Sequence, residues 1–213
     1  MVTNRYTNKY PSVTTVLGVL RKVGLEMWFK NNTAEYCDAE SSKGKKFGSS
    51  FHELLQKLIS GQETKIETDF DEELKNAVGG FVAFRKDYPN LKLELAELKM
   101  TSEKYKYNGT LDCLGVWEDK LIIVDWKTGK SKEGKKPDIY DEYVIQVSAY
   151  VNLYNEIYNT NVDKAIIVAF AKNEVNYNIE IVESKTIELA FNEIFLPALQ
   201  IYNGMKELKK IRF

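Results

Sequence analysis

The feature that most constrains this chain is the run Leu121-Ile122-Ile123-Val124, which passes directly into Asp125-Trp126-Lys127. A short, uninterrupted apolar run suits a strand buried on both faces, such as lies inside a sheet with helices on either side. Side chains two apart on a strand share a face, so Asp125 and Lys127 point one way and Trp126 the other. Charged groups at the mouth of a buried strand are costly unless compensated. For Asp-x-Lys taken alone, an ion pair at a strand end is the ordinary explanation.

Helical and strand patterns surround the run. Pro11, Ser12 and Thr14 open a helix with Val16, Leu17, Leu20 and Val23 behind it, ended or bent by Gly24. A second helix is predicted over 48–59, with Phe51, Leu54, Leu55 and Leu58 on one face and Gly61 as its stop. A third starts near Phe70, with the stripe Phe70, Leu74, Ala77, Phe81, Phe84 and Tyr88. Strands follow Pro89-Asn90. Leu91, Leu93 and Leu95 alternate with other residues, and 104–118 reads as a strand or hairpin with Gly109 near a turn. After the basic loop 129–137 come a helix over 140–158, strands over 165–171 and 175–182 with Asn173 in the turn, and a final helix capped by Ser184. The final helix carries Ile187, Phe191, Ile194, Ala198, Ile201, Met205 and Leu208, with a kink at Pro197. This order predicts an α/β fold: a mixed central sheet flanked by helices, with an N-terminal helical addition. At 213 residues it suits one domain, residues 1–90 mainly helical and 91–213 the α/β core.

The ion-pair explanation weakens once the neighbouring strands are counted. Asp112 lies in Gly109-Thr110-Leu111-Asp112, on a strand face that continues through Leu114 and Val116. Glu97 follows Leu91, Leu93 and Leu95 on the strand before. Three successive strands each carry an acid where an apolar residue is expected. Burying such ions costs several kcal/mol each, and a divalent cation with oxygen ligands removes that cost. The lone histidine, His52, sits beside Phe51 and Leu55 at the edge of its helix's apolar face; most histidines so placed are packed core residues. Gln146 and Tyr150 are four apart and share a helix face.

Composition bounds the partners. Net charge is −1 and the pI about 6.0, which argues mildly against a simple nucleic-acid binder, although a local patch can act where net charge does not. Lysines outnumber arginines, which favours phosphate contact over base reading. Lys43, Lys45 and Lys46 precede the His52 helix, and Lys130, Lys132, Lys135 and Lys136 follow the Asp-x-Lys strand. These runs suit a DNA path flanking the site, with the acidic stretch 69–73 facing away from it. Two cysteines, Cys37 and Cys113, make no disulfide framework and fit a reducing compartment. The first residues lack the apolar region of a signal peptide, and no apolar run approaches the roughly 18 residues of a membrane span. The expectation is a cytoplasmic protein with no membrane association.

Gly48…His52, Glu97, Gly109…Asp112, Asp125…Lys127 and Gln146…Tyr150, in that order, resemble the PD-(D/E)XK nucleases, specifically their RecB-like or Cas4-like exonuclease branch. Tyr10-Pro11-Ser12-Val13-Thr14-Thr15 is similar to the start of mitochondrial genome maintenance exonucleases and related phage proteins. The resemblance runs from about residue 10 to at least residue 183. Some members of this branch bind an iron–sulfur cluster through four cysteines, three near the C-terminus. No cysteine follows Cys113 here, so no cluster is expected and Cys113 is assigned to core packing.

The resemblance implies hydrolysis of phosphodiester bonds in single-stranded or end-containing DNA, in replication, repair or recombination, with a phage origin among the possibilities. It implies Mg²⁺ or Mn²⁺ held by Asp112, Asp125, His52 and the Trp126 carbonyl. Lys127 would position the attacking water or, by losing its proton, act as base. Glu97 would orient Lys127 or an outer water, and Gln146 and Tyr150 would hold the strand. The basic residues, Lys45, Lys46, Lys130 and Lys132 among them, would contact DNA. A recombination or replication protein is a candidate partner. Three other readings stay open: a structure-specific endonuclease on the same fold, an inactive DNA-binding or partner-docking module, and a core ion-pair network with no ligand.

Overall fold

The computed structural model describes residues 7, 9–62 and 71–212. The helices α1 (Val13–Leu17), α2 (Val23–Lys30), α3 (Ala34–Ile59) and α4 (Glu72–Asp87) precede a hairpin series β1 (Lys92–Ser102), β2 (Tyr107–Trp117) and β3 (Lys120–Gly129). Then come α5 (Asp141–Tyr158), β4 (Lys164–Ala171), β5 (Tyr177–Glu183), α6 (Ser184–Leu189), a π-helical segment (Ala190–Phe195) and α7 (Leu196–Arg212). The five strands form one mixed sheet in the order β1-β2-β3-β4-β5. Only β3 and β4 are parallel, and α5 is the crossover that a parallel pair requires.

β3 has core on both faces, as its apolar run predicts. Ile122, Val124 and Trp126 pack with Phe51 and Leu55 of α3 and Phe81 and Phe84 of α4. Ile123 packs on the opposite face with α1, α5 and the C-terminal helices, through Val16, Val147, Leu153 and Phe195. The sheet is thus the middle layer of three.

Several expected elements differ. The first helix stops at Leu17, where its buried residues run out, and an exposed Val23 opens a separate α2 that contains Gly24. The His52 helix begins at Ala34, not near residue 48. Thr33 caps it by accepting the Tyr36 N–H, and packing of Phe51, Leu54 and Leu55 outweighs the cost of about 1 kcal/mol for each interior glycine, Gly44 and Gly48. Lys43, Lys45 and Lys46 therefore ride on α3 itself. Asp71 caps α4; the predicted start at Phe70 lies outside the described residues. Gly109 is inside β2, not at a turn; the turns fall at Lys106 and at Glu118-Asp119, all with positive φ. Ser184 is the first residue of α6 and makes no side-chain cap. Ahead of Pro197 the chain widens into the π-helical segment, where Leu196 donates to the Phe191 carbonyl five residues back. That extra residue per turn rotates α7 about its axis: Ile201, Met205 and Leu208 are exposed rather than continuing the buried stripe.

Candidate active site

The site lies where two strands part. β2 and β3 pair from Cys113 opposite Val124 to Trp117 opposite Lys120. Asp112 and Asp125 are the next residues on each strand, beyond the last pair. In place of a ladder bond, Oδ2 of Asp112 accepts the Trp126 N–H at 2.9 Å. The two acids share this fork, and alternation along β3 sends Asp125 and Lys127 to the α5 face while the Trp126 ring enters the α3–α4 core.

From α3, Nδ1 of His52 comes within 3.4 Å of Oδ1 of Asp112. Nζ of Lys127 lies 2.5 Å from Oδ2 of Asp125, whose side chain is wholly buried. From α5, Nε2 of Gln146 reaches Oδ1 of Asp125 at 3.4 Å and the Tyr150 hydroxyl at 2.9 Å. His52, Asp112, Lys127, Gln146 and Tyr150 line one cavity of about 290 Å³, together with Ser12, Thr14 and Gly109.

The two carboxyls diverge electrostatically. Burial pushes Asp125 up to about 7; the Asp112 charge adds to this and the Lys127 ammonium opposes it. Burial also works against ionised Asp112, but His52, Lys127 and the Trp126 N–H outweigh it and hold that carboxyl below its usual range. Burial favours neutral Lys127, yet Asp125 and Asp112 overcome it and raise the ammonium's pKa. In the metal-free site this balance favours the ammonium. Burial likewise disfavours charged His52, and the bond to Asp112 reverses the balance. Burial drives the Tyr150 hydroxyl well above its ordinary range, leaving it a neutral hydrogen-bonding group.

Glu97 does not join this site. β1 carries a bulge between Leu93 and Leu95, which breaks the alternation on which the expectation rested; the shifted register brings residue 97 level with Asp112, but the backbone there leaves the extended region. Leu95 is 44% exposed, and Glu97 has φ 53° and a solvent-exposed side chain. Glu73 does not face away from the lysines either: it approaches Lys43, Lys130 and Lys172. Lys132 lies 4.0 Å from Asp138, and Lys45, Lys46, Lys135 and Lys136 are exposed. Cys113 is buried in the α3–α4 core, as expected.

The cavity also contains residues that motif spacing did not assign. Ser12 and Thr14 line it because β2 clamps the segment before α1. The buried Asn108 donates its backbone N–H to the Pro11 carbonyl at 2.8 Å and its side-chain amide to the Tyr10 carbonyl at 2.9 Å. The resemblance of Tyr10–Thr15 was the available signal. Tyr143 of α5 places its ring centroid 5.1 Å from Nζ of Lys127; nothing in the sequence singles it out.

The donor set suits a hard cation. Oδ2 of Asp125 is buried with an ion pair to Lys127 but no hydrogen bond of regular geometry, and Asp112 and His52 stand beside it. Among the described residues no three His, Cys, Asp or Glu side chains already form a cation cage; a bound ion would have to draw carboxylate oxygens from Lys127 and His52.

Sequence comparison adds relatives to this geometry. The chain is 32% identical over 110 residues to mitochondrial genome maintenance exonuclease 1 of Homo sapiens, covering 51% of this chain and 30% of that protein. It is 25% identical over 181 residues to the Xenopus tropicalis protein, covering 83% and 49%. The chain has exonuclease homologues. It also matches an ATP-dependent helicase/nuclease of Clostridium perfringens, at 32% over 68 residues, 32% of this chain and 5% of that one. The chain thus spans about half the length, or less, of these relatives. No protein-family model matches it. An alkaline exonuclease structure from Laribacter hongkongensis aligns over 96% of this chain and 94% of that one, at 14% identity and a TM-score of 0.38. Among the described residues no helix is long and apolar enough to cross a membrane.

Proposed function

We propose that this chain is a single PD-(D/E)XK nuclease domain and works as a divalent-metal-dependent DNA exonuclease. What carries the reading is the pair of acids at the strand fork: Asp112, which with Lys127 lines a cavity that solvent can enter, and Asp125 buried directly behind them. A core ion-pair network has no need of that cavity, nor of His52, Gln146 and Tyr150 lining it from α3 and α5. The exonuclease homologues support the same reading.

Asp112, Asp125, His52 and the Trp126 carbonyl would hold Mg²⁺ or Mn²⁺, which when bound polarises a phosphate and lowers the pKa of its water. Lys127 positions the attacking water and, as an ammonium, offsets negative charge growing on the phosphorus oxygens. Tyr150, neutral and buried, and Gln146 orient the strand by hydrogen bonds. Lys45, Lys46, Lys130 and Lys132 give salt-sensitive contact with the backbone.

The test is digestion of end-labelled single- and double-stranded DNA with Mg²⁺ or Mn²⁺, with EDTA as control and closed circular single-stranded DNA alongside. Stepwise loss from ends, none in EDTA and an intact circle are expected. A cut circle would replace the exonuclease reading with the endonuclease one. Asp125→Ala digesting at the wild-type rate would remove the site assignment.

A further inference from the structure

Outside the reaction centre, the described residues gather one compact charge cluster, of which the reading above uses only Lys130, as a backbone contact. It joins four elements. Glu73, in the first turn of α4, meets Lys43 of α3 at 3.7 Å, Lys130 just after β3 at 4.0 Å and Lys172 just after β4 at 3.7 Å. Three cations thus converge on one acid, leaving a local surplus of positive charge.

The cluster is poorly satisfied. All three separations exceed hydrogen-bond length. Oε2 of Glu73 is buried and has no hydrogen-bond partner. The Lys172 side chain is only 14% exposed, and its ammonium is otherwise met by the face of the Phe47 ring at 4.9 Å. A built structural ion pair would close these distances, as Lys127 and Asp125 do at 2.5 Å. Lys172 is nevertheless fixed in place: its backbone N–H donates to the Gly129 carbonyl, and its own carbonyl accepts from the Asn76 side chain. The lysines are held around a space that a single carboxylate fills badly. A phosphate, with more acceptor oxygens and reach in several directions, matches three converging ammonium groups better.

The position suits a substrate strand. The cluster lies towards α3 and α4 rather than α5, but His52 of α3, the helix that carries Lys43, lines the reaction cavity. Lys130 follows Lys127 by three residues, about 10 Å along the chain at a strand's rise per residue. That is within the span of a nucleotide or two of extended DNA leaving the fork.

We propose that Lys43, Lys130 and Lys172 form a binding site for a backbone phosphate of the DNA strand beyond the reaction centre, and that Glu73 occupies it in the free protein. This rests on the nuclease reading and adds a subsite and its internal competitor. Binding of DNA displaces the Glu73 carboxylate, which then acts as a charge-selective filter: weak anions do not dislodge it, a polyanionic strand does.

The experiment is equilibrium binding of a fluorescein-labelled single-stranded oligonucleotide in EDTA, by anisotropy, across a salt series. Glu73→Gln is expected to tighten binding several-fold, although it removes an interaction from the fold. Lys43→Ala and Lys130→Ala, both at well-exposed side chains, are expected to weaken it several-fold. Each should also lower the slope of log affinity against log salt by about 0.7, the value for one single-strand phosphate contact. Lys120→Ala, on the exposed β2–β3 turn at the other end of the sheet, should match the wild type. Melting temperatures identify a variant whose binding changes through unfolding. If Glu73→Gln binds no tighter and both exposed-lysine variants behave like Lys120→Ala, the subsite is refuted. Should the wild type still digest DNA ends in that case, the nuclease reading survives it. A wild type that neither binds nor digests DNA sinks both.

Discussion

Gly109→Ala tests how closely the fold and the proposed active site depend on one another. A methyl group at this position of β2 would lie 2.8 Å from Cδ2 of Leu153 and 3.0 Å from both Cδ1 and Cε1 of Tyr150. Both neighbours belong to α5 and are buried. Neither is the free end of a flexible surface chain, so α5 must lift from the sheet or the two side chains must leave their preferred rotamers. Overpacking of this kind costs about 1–3 kcal/mol. At about 2–4 °C per kcal/mol for a chain of this size, the melting temperature should fall by about 2–12 °C. The larger effect should be on activity. Tyr150 holds Gln146, and Gln146 reaches Asp125, so a shift on the order of 1 Å in α5 passes directly into the fork and can cost about 10²-fold in rate. Differential scanning fluorimetry and initial rates on end-labelled DNA measure the two effects. Leu153→Val, which shortens one clashing side chain, should recover part of the loss in the double variant, so the two changes should not be additive. A Gly109→Ala protein with unchanged melting temperature and unchanged rate would refute the claim that this glycine is there to admit Tyr150.

Two further outcomes follow from burial. Asp125 titrates near 7 when folded and near 4 when unfolded, so the folded state binds its proton more tightly. The stability this confers is present below about pH 4 and is lost as pH rises through 7. In metal-free buffer, Asp125→Asn should therefore gain on the wild type over that window in urea denaturation, and a difference independent of pH would count against burial as the cause. Both cysteines are buried; burial pushes the Cys113 thiol up to about 12, and burial with the nearby Asp38 raises that of Cys37. Neither should react with Ellman's reagent in native protein within minutes, and both should in denaturant; a fast native thiol would contradict the packing around α3 and β2.

The sequence by itself determined the periodicities and the order of the chemical groups. A four-residue apolar run between a strand pattern and a basic loop suits an inner strand of a covered sheet, and β3 is one. Asp125 and Lys127 had to share a face because strand alternation is local geometry, and Gln146 and Tyr150 had to share another because helical repeat is equally local. Where the reading failed, a non-local contact or a backbone irregularity had intervened. Glu97 itself leaves the extended backbone region and is exposed, and strand alternation foresees neither that nor the bulge in β1. The π-helical turn before Pro197 moved Ile201, Met205 and Leu208 off the buried stripe in the same way. The protonation of Lys127 was beyond the sequence because it depends on the balance between burial and two carboxylates, one of them from another strand. So was the fork itself: nothing in either strand says where β2 and β3 stop pairing, yet that point brings Asp112 beside Asp125. Glu73 among its lysines shows the same limit. Its charge is plain in the sequence, but only the packing of α3 and α4 over the ends of β3 and β4 decides which charges it meets.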